Sequence, residues 1–378
     1  MNAKENNYHA LDYNYFMKKL SNYLEKDIYK NFPNEFIDFK PFIDKNLIAI
    51  TKDSMLAEGK RIRPLLCYWL LRNFSLPNNS LTSLDLVEKS NKKLLDTVTQ
   101  VAIGIEIFHC ASLVIDDIED GSCERRGRLS LHLSHGLPKA LNAANWMYFL
   151  ALKHFPAVSK SIAIETLFDC HIGQAFDLSS NDDFINKKYF YADETTRWSF
   201  YEKCVSLKTG KLIQLPLFSL KKILNISDSE INLVDKIFNS YGIIYQIFDD
   251  LKNFVPELNK NKLYEDLNCG LRSAVVHSFI DILSDEEKEL AYLEIKNNNF
   301  KKYFLQHYKK IQSLEKCYYK ASYLLHINSI QLESIQINKE LKDYLSDIIE
   351  KPFDMIRKNI FSIIQVNYKL KMEETLSL

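Results

Sequence analysis

Apolar residues recur along this chain in long runs and at three- and four-residue spacing, not in strict alternation, and that pattern predicts helix almost throughout. From Thr97 to Asp120 the sequence is strongly apolar over a length no strand needs, which predicts a long buried helix. Further apolar helices are expected over Leu137 to His154, through SIAIETLFDCHIGQAFDL, from Glu202 to Leu220 and from Ile231 to Phe254. From about residue 275 to about 366 the pattern becomes amphipathic, with Lys, Glu and Asn on the solvated faces. Near the start, periodicity begins at MKKLSNYLEK; a second helix through NLIAITKDSMLAEG is expected to end at Gly59, with Lys60 to Arg63 opening the next ahead of Pro64. SLPNNSLTSLDLVEKSNKKL reads as a solvated loop from its Pro, Asn and Ser. The expected division is an N-terminal extension with a first helix over 1–45, a main helical domain over 46–340 and a C-terminal helical extension over 341–378. No internal repeat is seen.

Composition agrees with helix: 378 residues contain only nine Gly and nine Pro. Lys+Arg and Asp+Glu balance at 49 each, which argues against a broad nucleic-acid or membrane footprint, so charged partners must be bound locally. Seven dispersed cysteines with no CxxC pair read as free thiols in a reducing compartment. The first residues have no apolar signal core and no transit-peptide character, and the longest apolar runs are read as too short to span a bilayer, so a cytoplasmic protein is expected.

Charge is concentrated in a few places. DDIED, Asp116 to Asp120, ends the long apolar helix; Asp116 and Asp120 lie one turn apart with Asp117 beside them, so their carboxylates converge. Such like charges repel unless a cation lies between them, and hard oxygen ligands suit Mg²⁺. A solvated acidic helix end is the plainer reading of one such cluster, although acids there oppose the helix dipole. YQIFDDLKNF repeats the pattern with Asp249, Asp250 and Asn253, and Gln246 three residues ahead. Two acidic clusters ending buried helices could face a shared cavity and hold several ions on a diphosphate. Three basic segments match this: Lys60, Arg61 and Arg63 in GKRIRP, where a helix would put Lys60 and Arg63 on one face; Arg125, Arg126 and Arg128 in CERRGR; and Lys208, Thr209 and Lys211 in KTGK. Each alone is more simply a solvated charge run; their joint occurrence carries the reading.

In order and approximate spacing, GKRIRP, FHCASLVIDDIED, RRG, GQAFDL, KTG and YQIFDD resemble the trans-prenyl diphosphate synthases, and FHCASLVIDDIEDGSCERRG followed by ALNAANWMYFLAL is most similar to the eukaryotic geranylgeranyl diphosphate synthase branch. The resemblance implies an all-α isoprenoid synthase helical bundle around a deep central cavity, a homodimer, and Mg²⁺, three ions per site. It implies that Asp116 and Asp120 hold Mg²⁺ on the allylic diphosphate, with Asp249 holding a third ion, supported by Asp250 and Asn253. Arg125, Lys208 and Lys262 would contact the allylic diphosphate; Lys60, Arg63, His109 and Arg126 would bind isopentenyl diphosphate; Gln174, Thr209 and Gln246 would line the reaction centre. The implied reaction ionises an allylic prenyl diphosphate with water excluded, lets the double bond of isopentenyl diphosphate attack, and returns a proton to the released diphosphate.

The chain also departs from the pattern: DLNCGLRS keeps Asp266 and Gly270 but has Leu271 where Lys is usual, with Arg272 adjacent, and Leu129 follows RRGR where Pro is common. The resemblance implies that the product grows down the helix bearing the first acidic motif. Ala111 and Ser112, small residues one turn before Asp116, argue against a C15 product, and Phe108, about 12 Å below Asp116 at ~1.5 Å per residue, is a candidate floor for C20 or a core residue. Two other readings stay open: a relative that cyclises a prenyl diphosphate, and a non-catalytic partner subunit of an active synthase.

Overall fold

The protein is described by a computed structural model covering residues 8–376 except 77–82, 180–182, 259–262, 265–266, 268–270, 272, 336 and 338. Lys262, Asp266, Cys269, Gly270 and Arg272 therefore lie outside the described residues. The principal helices are α1 (Tyr8–Glu25), α2 (Ala49–Leu56), α3 (Ile62–Ser75), α4 (Lys92–Glu119), α5 (Leu137–His154), α6 (Ala157–Leu178), α7 (Glu194–Val205), α8 (Lys211–Leu220), α9 (Asp228–Lys252), α10 (Ala274–Ile282), α11 (Lys310–Glu333), α12 (Lys339–Ile349) and α13 (Asp354–Leu376). The chain forms two compact units, one of residues 1–166, 214–234 and 337–348, the other of 167–213, 235–336 and 349–378.

In the first unit α4 is the central element, apolar on nearly every side, and α3 and α5 pack along it. Gly104 lets the end of α5 come close: a Cβ there would lie 3.0 Å from the Phe155 ring. α4 begins five residues before the expected Thr97, and its 28 residues make it long and apolar enough to cross a membrane, which corrects the sequence expectation on length. With 72% of its most apolar window buried inside the protein, it is a core helix here. Part of the expected 75–95 loop is also helical, over Leu84–Ser90 and from Lys92.

The first helix and the start of the C-terminal extension, up to residue 348, are built into this unit. Arg72 of α3 makes a bidentate contact with Asp12 of α1, at 2.8 and 2.6 Å, and Tyr344 of α12 donates to the same carboxylate at 3.0 Å. All three groups are buried, and Trp69 Nε1 adds a 2.9 Å bond to the Leu341 carbonyl. A buried guanidinium with both carboxylate oxygens and a phenol around it is satisfied; removing one member would strand a charge in apolar surroundings. α1 and α12 thus fasten to α3.

In the second unit the Asp281 carboxylate of α10 is buried: Arg197 pairs with it, Trp198 Nε1 donates to it at 2.9 Å, and Lys316 of α11 lies 3.3 Å away. Arg197 also caps the carbonyls of Phe190 and Ala192 at 3.2 and 2.6 Å. The helix expected from Glu202 to Leu220 is interrupted by a π turn over Ser206–Gly210, between α7 and α8. The widened turn contains the KTG motif. The six described cysteines are free, as expected.

Candidate active site

In the first unit the end of α4 carries the acidic motif. Asp120 N bonds to Asp116 O at 2.9 Å, so these two residues sit one helical turn apart as expected. Arg125 spans the neighbouring carboxylates: its Nε donates to Asp117 at 2.8 Å, and its Nη2 lies 2.6 Å from Asp117 and 3.2 Å from Asp116. Asp117 is buried and turned to Arg125, whereas Asp116 is half-buried and Asp120 exposed.

The RRGR segment forms something the sequence reading did not include, a hairpin in which Glu124–Arg125 pairs with Arg128–Leu129. Its two turn residues, Arg126 and Gly127, have φ of 54° and 75°. Positive φ at both central residues matches the right-handed strand twist; Gly127 adopts it freely and Arg126 does so at a cost. The turn sends Arg126 back to the α2–α3 connection, where its Nη1 is 3.3 Å from the Ala57 carbonyl and a Cβ on Gly59 would lie 3.0 Å from its guanidinium.

GKRIRP does not lie on one helix. α3 begins at Ile62, and Arg61 occupies the N-cap in the left-handed region with φ 50°. Lys60 precedes the helix and is exposed, Arg63 is half-buried, and Arg61 is buried against Glu106 of α4. The expected Lys60–Arg63 helical face is thus replaced by a loop followed by a first turn, and Arg61 is not a ligand-facing cation. His109 is central to this cluster. Burial, then the charges of Arg63, Arg126, Arg125 and Arg61, hold its imidazole well below the ordinary pKa, so it is neutral at pH 7. Its Nδ1 is buried and has no hydrogen-bond partner. With Arg61 neutralised by Glu106, the charges of Arg63, Arg126 and Arg125 acting on this neutral ring favour an anion beside it.

Ala111 is fully buried, and Ser112 donates to the His109 carbonyl at 2.8 Å. Phe108 is buried with its ring edge-on to Tyr148 of α5, centroids 5.5 Å apart.

In the second unit, glycines bring three chain segments together. A Cβ on Gly173 of α6 would lie 2.5 Å from the backbone N of Lys208, and one on Gly242 of α9 would lie 2.6 Å from the Gly210 Cα. The KTG turn is therefore held between α6 and α9 at backbone distance. Lys208 pairs with Asp177 at 2.7 Å, Lys211 with Asp169 at 2.9 Å, and Thr209 Oγ1 donates to Gln246 Oε1 at 3.2 Å. Gln174, next to Gly173, is half-buried.

Asp249 is exposed, but Asp250 is 2% exposed and engaged: Gln246 Nε2 donates at 2.9 Å, Tyr201 OH at 2.9 Å and the Ala274 backbone N at 2.7 Å. Burial pushes its pKa up to about 7 despite those three bonds. Asn253 lies just past α9, its N bonded to Asp250 O at 3.2 Å. Leu271, at the position where the resemblance leads one to look for Lys, is 2% exposed, and its carbonyl accepts from His277 at 2.8 Å. Burial pushes the His277 pKa down to about 4, so the donor is a neutral ring.

The donor chemistry suits Mg²⁺. Each acidic motif carries an exposed carboxylate, Asp120 in the first and Asp249 in the second, and no soft ligand stands among the motif residues. Among the described residues no three His, Cys, Asp or Glu side chains close around one point. Sequence reasoning missed Glu106, Asp177 and Tyr201. Asp177 stands within the quoted GQAFDL, whereas Glu106 and Tyr201 have partners 45 and 49 residues away and no local signal.

Residues 44–339 match the polyprenyl synthetase family. The geranylgeranyl pyrophosphate synthase of Dictyostelium discoideum is 33% identical over 230 residues, 58% of this chain and 71% of that protein. The octaprenyl pyrophosphate synthase of Helicobacter pylori aligns with a TM-score of 0.65 at 18% identity, over 90% of this chain and 99% of that one. The geranylgeranyl pyrophosphate synthase of Corynebacterium glutamicum, complexed with isoprenyl diphosphate and magnesium, aligns with a TM-score of 0.61 at 17% identity, over 90% and 98%. At such identities the two structures speak to the fold, which is all-α. With the family match spanning most of its length, the chain belongs to the polyprenyl synthetase family.

Proposed function

We propose that the protein condenses isopentenyl diphosphate head-to-tail with an allylic prenyl diphosphate and releases geranylgeranyl diphosphate. The observation that carries this reading is that Arg63 and Arg126 act on neutral His109, whose buried Nδ1 has no partner. With Lys60 on the same loop, this group is suited to a diphosphate held without metal, as the second, non-ionising substrate requires. A cyclising enzyme has no use for it.

Asp116 and Asp120 are assigned to two Mg²⁺ ions, and Asp249, with Asp250 and Asn253, to a third. These residues would hold Mg²⁺, which would supply the positive charge that an allylic diphosphate needs to leave. Arg125, Lys208 and Lys262 bind that diphosphate. Asp117 and Asp177 orient the first two cations, as their 2.6–2.8 Å contacts support. Gln174, Thr209 and Gln246 line the reaction centre, where water must be kept from an allylic cation.

The test is to incubate the purified protein with Mg²⁺, isopentenyl diphosphate and each allylic diphosphate in turn, and to weigh the products. Linear C20 diphosphate is expected. A hydrocarbon or alcohol formed without isopentenyl diphosphate would replace this reading with cyclisation, and no product with any primer would favour a partner subunit.

For chain length, Phe108 against Tyr148 is the proposed floor below Ala111 and Ser112. Phe108→Ala is expected to move the main product from C20 to C25 or longer in the same assay; an unchanged product removes Phe108 from the account. A homodimer is supported by exposed apolar residues at helical spacing: Leu137, Leu141 and Phe149 on α5, and Ile164, Phe168 and Ile172 on α6. Sedimentation should give twice the chain mass, and a monomer at micromolar concentration would refute it.

A further inference from the structure

We infer that Glu106, which none of the motifs includes, is a positioning residue for isopentenyl diphosphate and acts through Arg61. The inference rests on the assignment of Lys60, Arg63, His109 and Arg126 to that substrate. Glu106 is 2% exposed and Arg61 4%, and their side chains are paired. Arg61 is a non-glycine residue at φ 50°, a conformation that persists only where surrounding contacts impose it.

Those contacts are specific. Arg61 Nη1 donates to Glu106, and Nη2 donates to the carbonyls of Met55 at 2.7 Å and Ala57 at 2.5 Å. The two carbonyls lie at the end of α2, where no intrahelical donor reaches them. Arg61 therefore ties the end of α2 and the start of α3 to α4. Glu106 sits three residues before His109 on α4, so one carboxylate sets the register between the loop holding Lys60 and Arg63 and the helix holding His109. Arg126 is indexed to the same point, because its Nη1 also donates to the Ala57 carbonyl, at 3.3 Å. Of the three cations in GKRIRP, one is thus neutralised in the core and orients the two beside it.

The test is Glu106→Gln, which keeps the shape and removes the charge that fixes Arg61. KM for isopentenyl diphosphate is expected to rise about tenfold, while kcat and KM for the allylic diphosphate stay within twofold. Calorimetric binding of isopentenyl diphosphate without Mg²⁺ should weaken by the same factor. A merely structural role would lower the melting temperature and leave this KM split absent.

The double variant Glu106→Gln/Arg61→Gln, which leaves no stranded charge, guards against misfolding of the single one. It is expected to recover thermal stability without recovering isopentenyl affinity; recovery of both would overturn the inference. Arg63→Ala separates the two levels. If it weakens isopentenyl binding and Glu106→Gln does not, only the role of Glu106 falls; if Arg63→Ala has no effect, the substrate assignment and the role of Glu106 fall together.

Discussion

Replacing Gly173 by alanine is expected to cut kcat/KM by about two orders of magnitude with little loss of helix. The added Cβ would lie 2.5 Å from the Lys208 backbone N and 2.9 Å from the Leu207 carbonyl carbon, and backbone, unlike the end of a flexible side chain, cannot turn aside. The KTG turn must move, and with it the Lys208–Asp177 and Thr209–Gln246 contacts. Overpacking costs about 1–3 kcal/mol, partly offset by the ~1 kcal/mol that alanine gains over glycine inside a helix. The net loss of stability is therefore small. A displacement of about 1 Å at a reacting site, by contrast, costs about 100-fold in rate. Steady-state kinetics beside a melting curve separates the two effects; near-normal turnover would mean the site tolerates the shift.

Asp116→Ala and Asp249→Ala should each lower kcat by at least about a thousandfold, which corresponds to roughly 4 kcal/mol of transition-state stabilisation. Neither change should unfold the protein. Asp249 is exposed, and Arg125 keeps Asp117 as a partner when Asp116 is removed. Helicity by circular dichroism should match the parent. Metal titration by calorimetry with a non-hydrolysable diphosphate should show weaker Mg²⁺ binding in both variants. Either variant at full activity would contradict the metal assignment.

The acidic motifs were legible because their logic is local. Asp116 and Asp120 lie one turn apart on any helix, and the apolar run before them predicts the helix, so their spacing follows from backbone periodicity. The same reasoning failed at GKRIRP, where helical spacing would put Lys60 and Arg63 on one face. Arg61 instead takes a left-handed N-cap conformation, because Glu106 and two carbonyls hold it there. Nor does the sequence distinguish Asp250 from Asp249, although Asp250 is buried under Tyr201, Gln246 and Ala274.

What the sequence by itself determined is the all-helical course of the chain, the two acidic helix ends, the basic segments and, through their order, the family. Tertiary structure alone decided which charge faces ligand and which faces core. Arg61 and Arg63 are two residues apart, yet one is neutralised by a carboxylate 45 residues away and the other is not buried with it. It also decided that α1 and α12 fasten to α3, through one carboxylate at Asp12 shared by Arg72 and Tyr344, the latter 332 residues distant. The physical reason is range: helix periodicity is set by bonds four residues apart, whereas the partner of a buried charge is whatever group packing brings within about 3 Å.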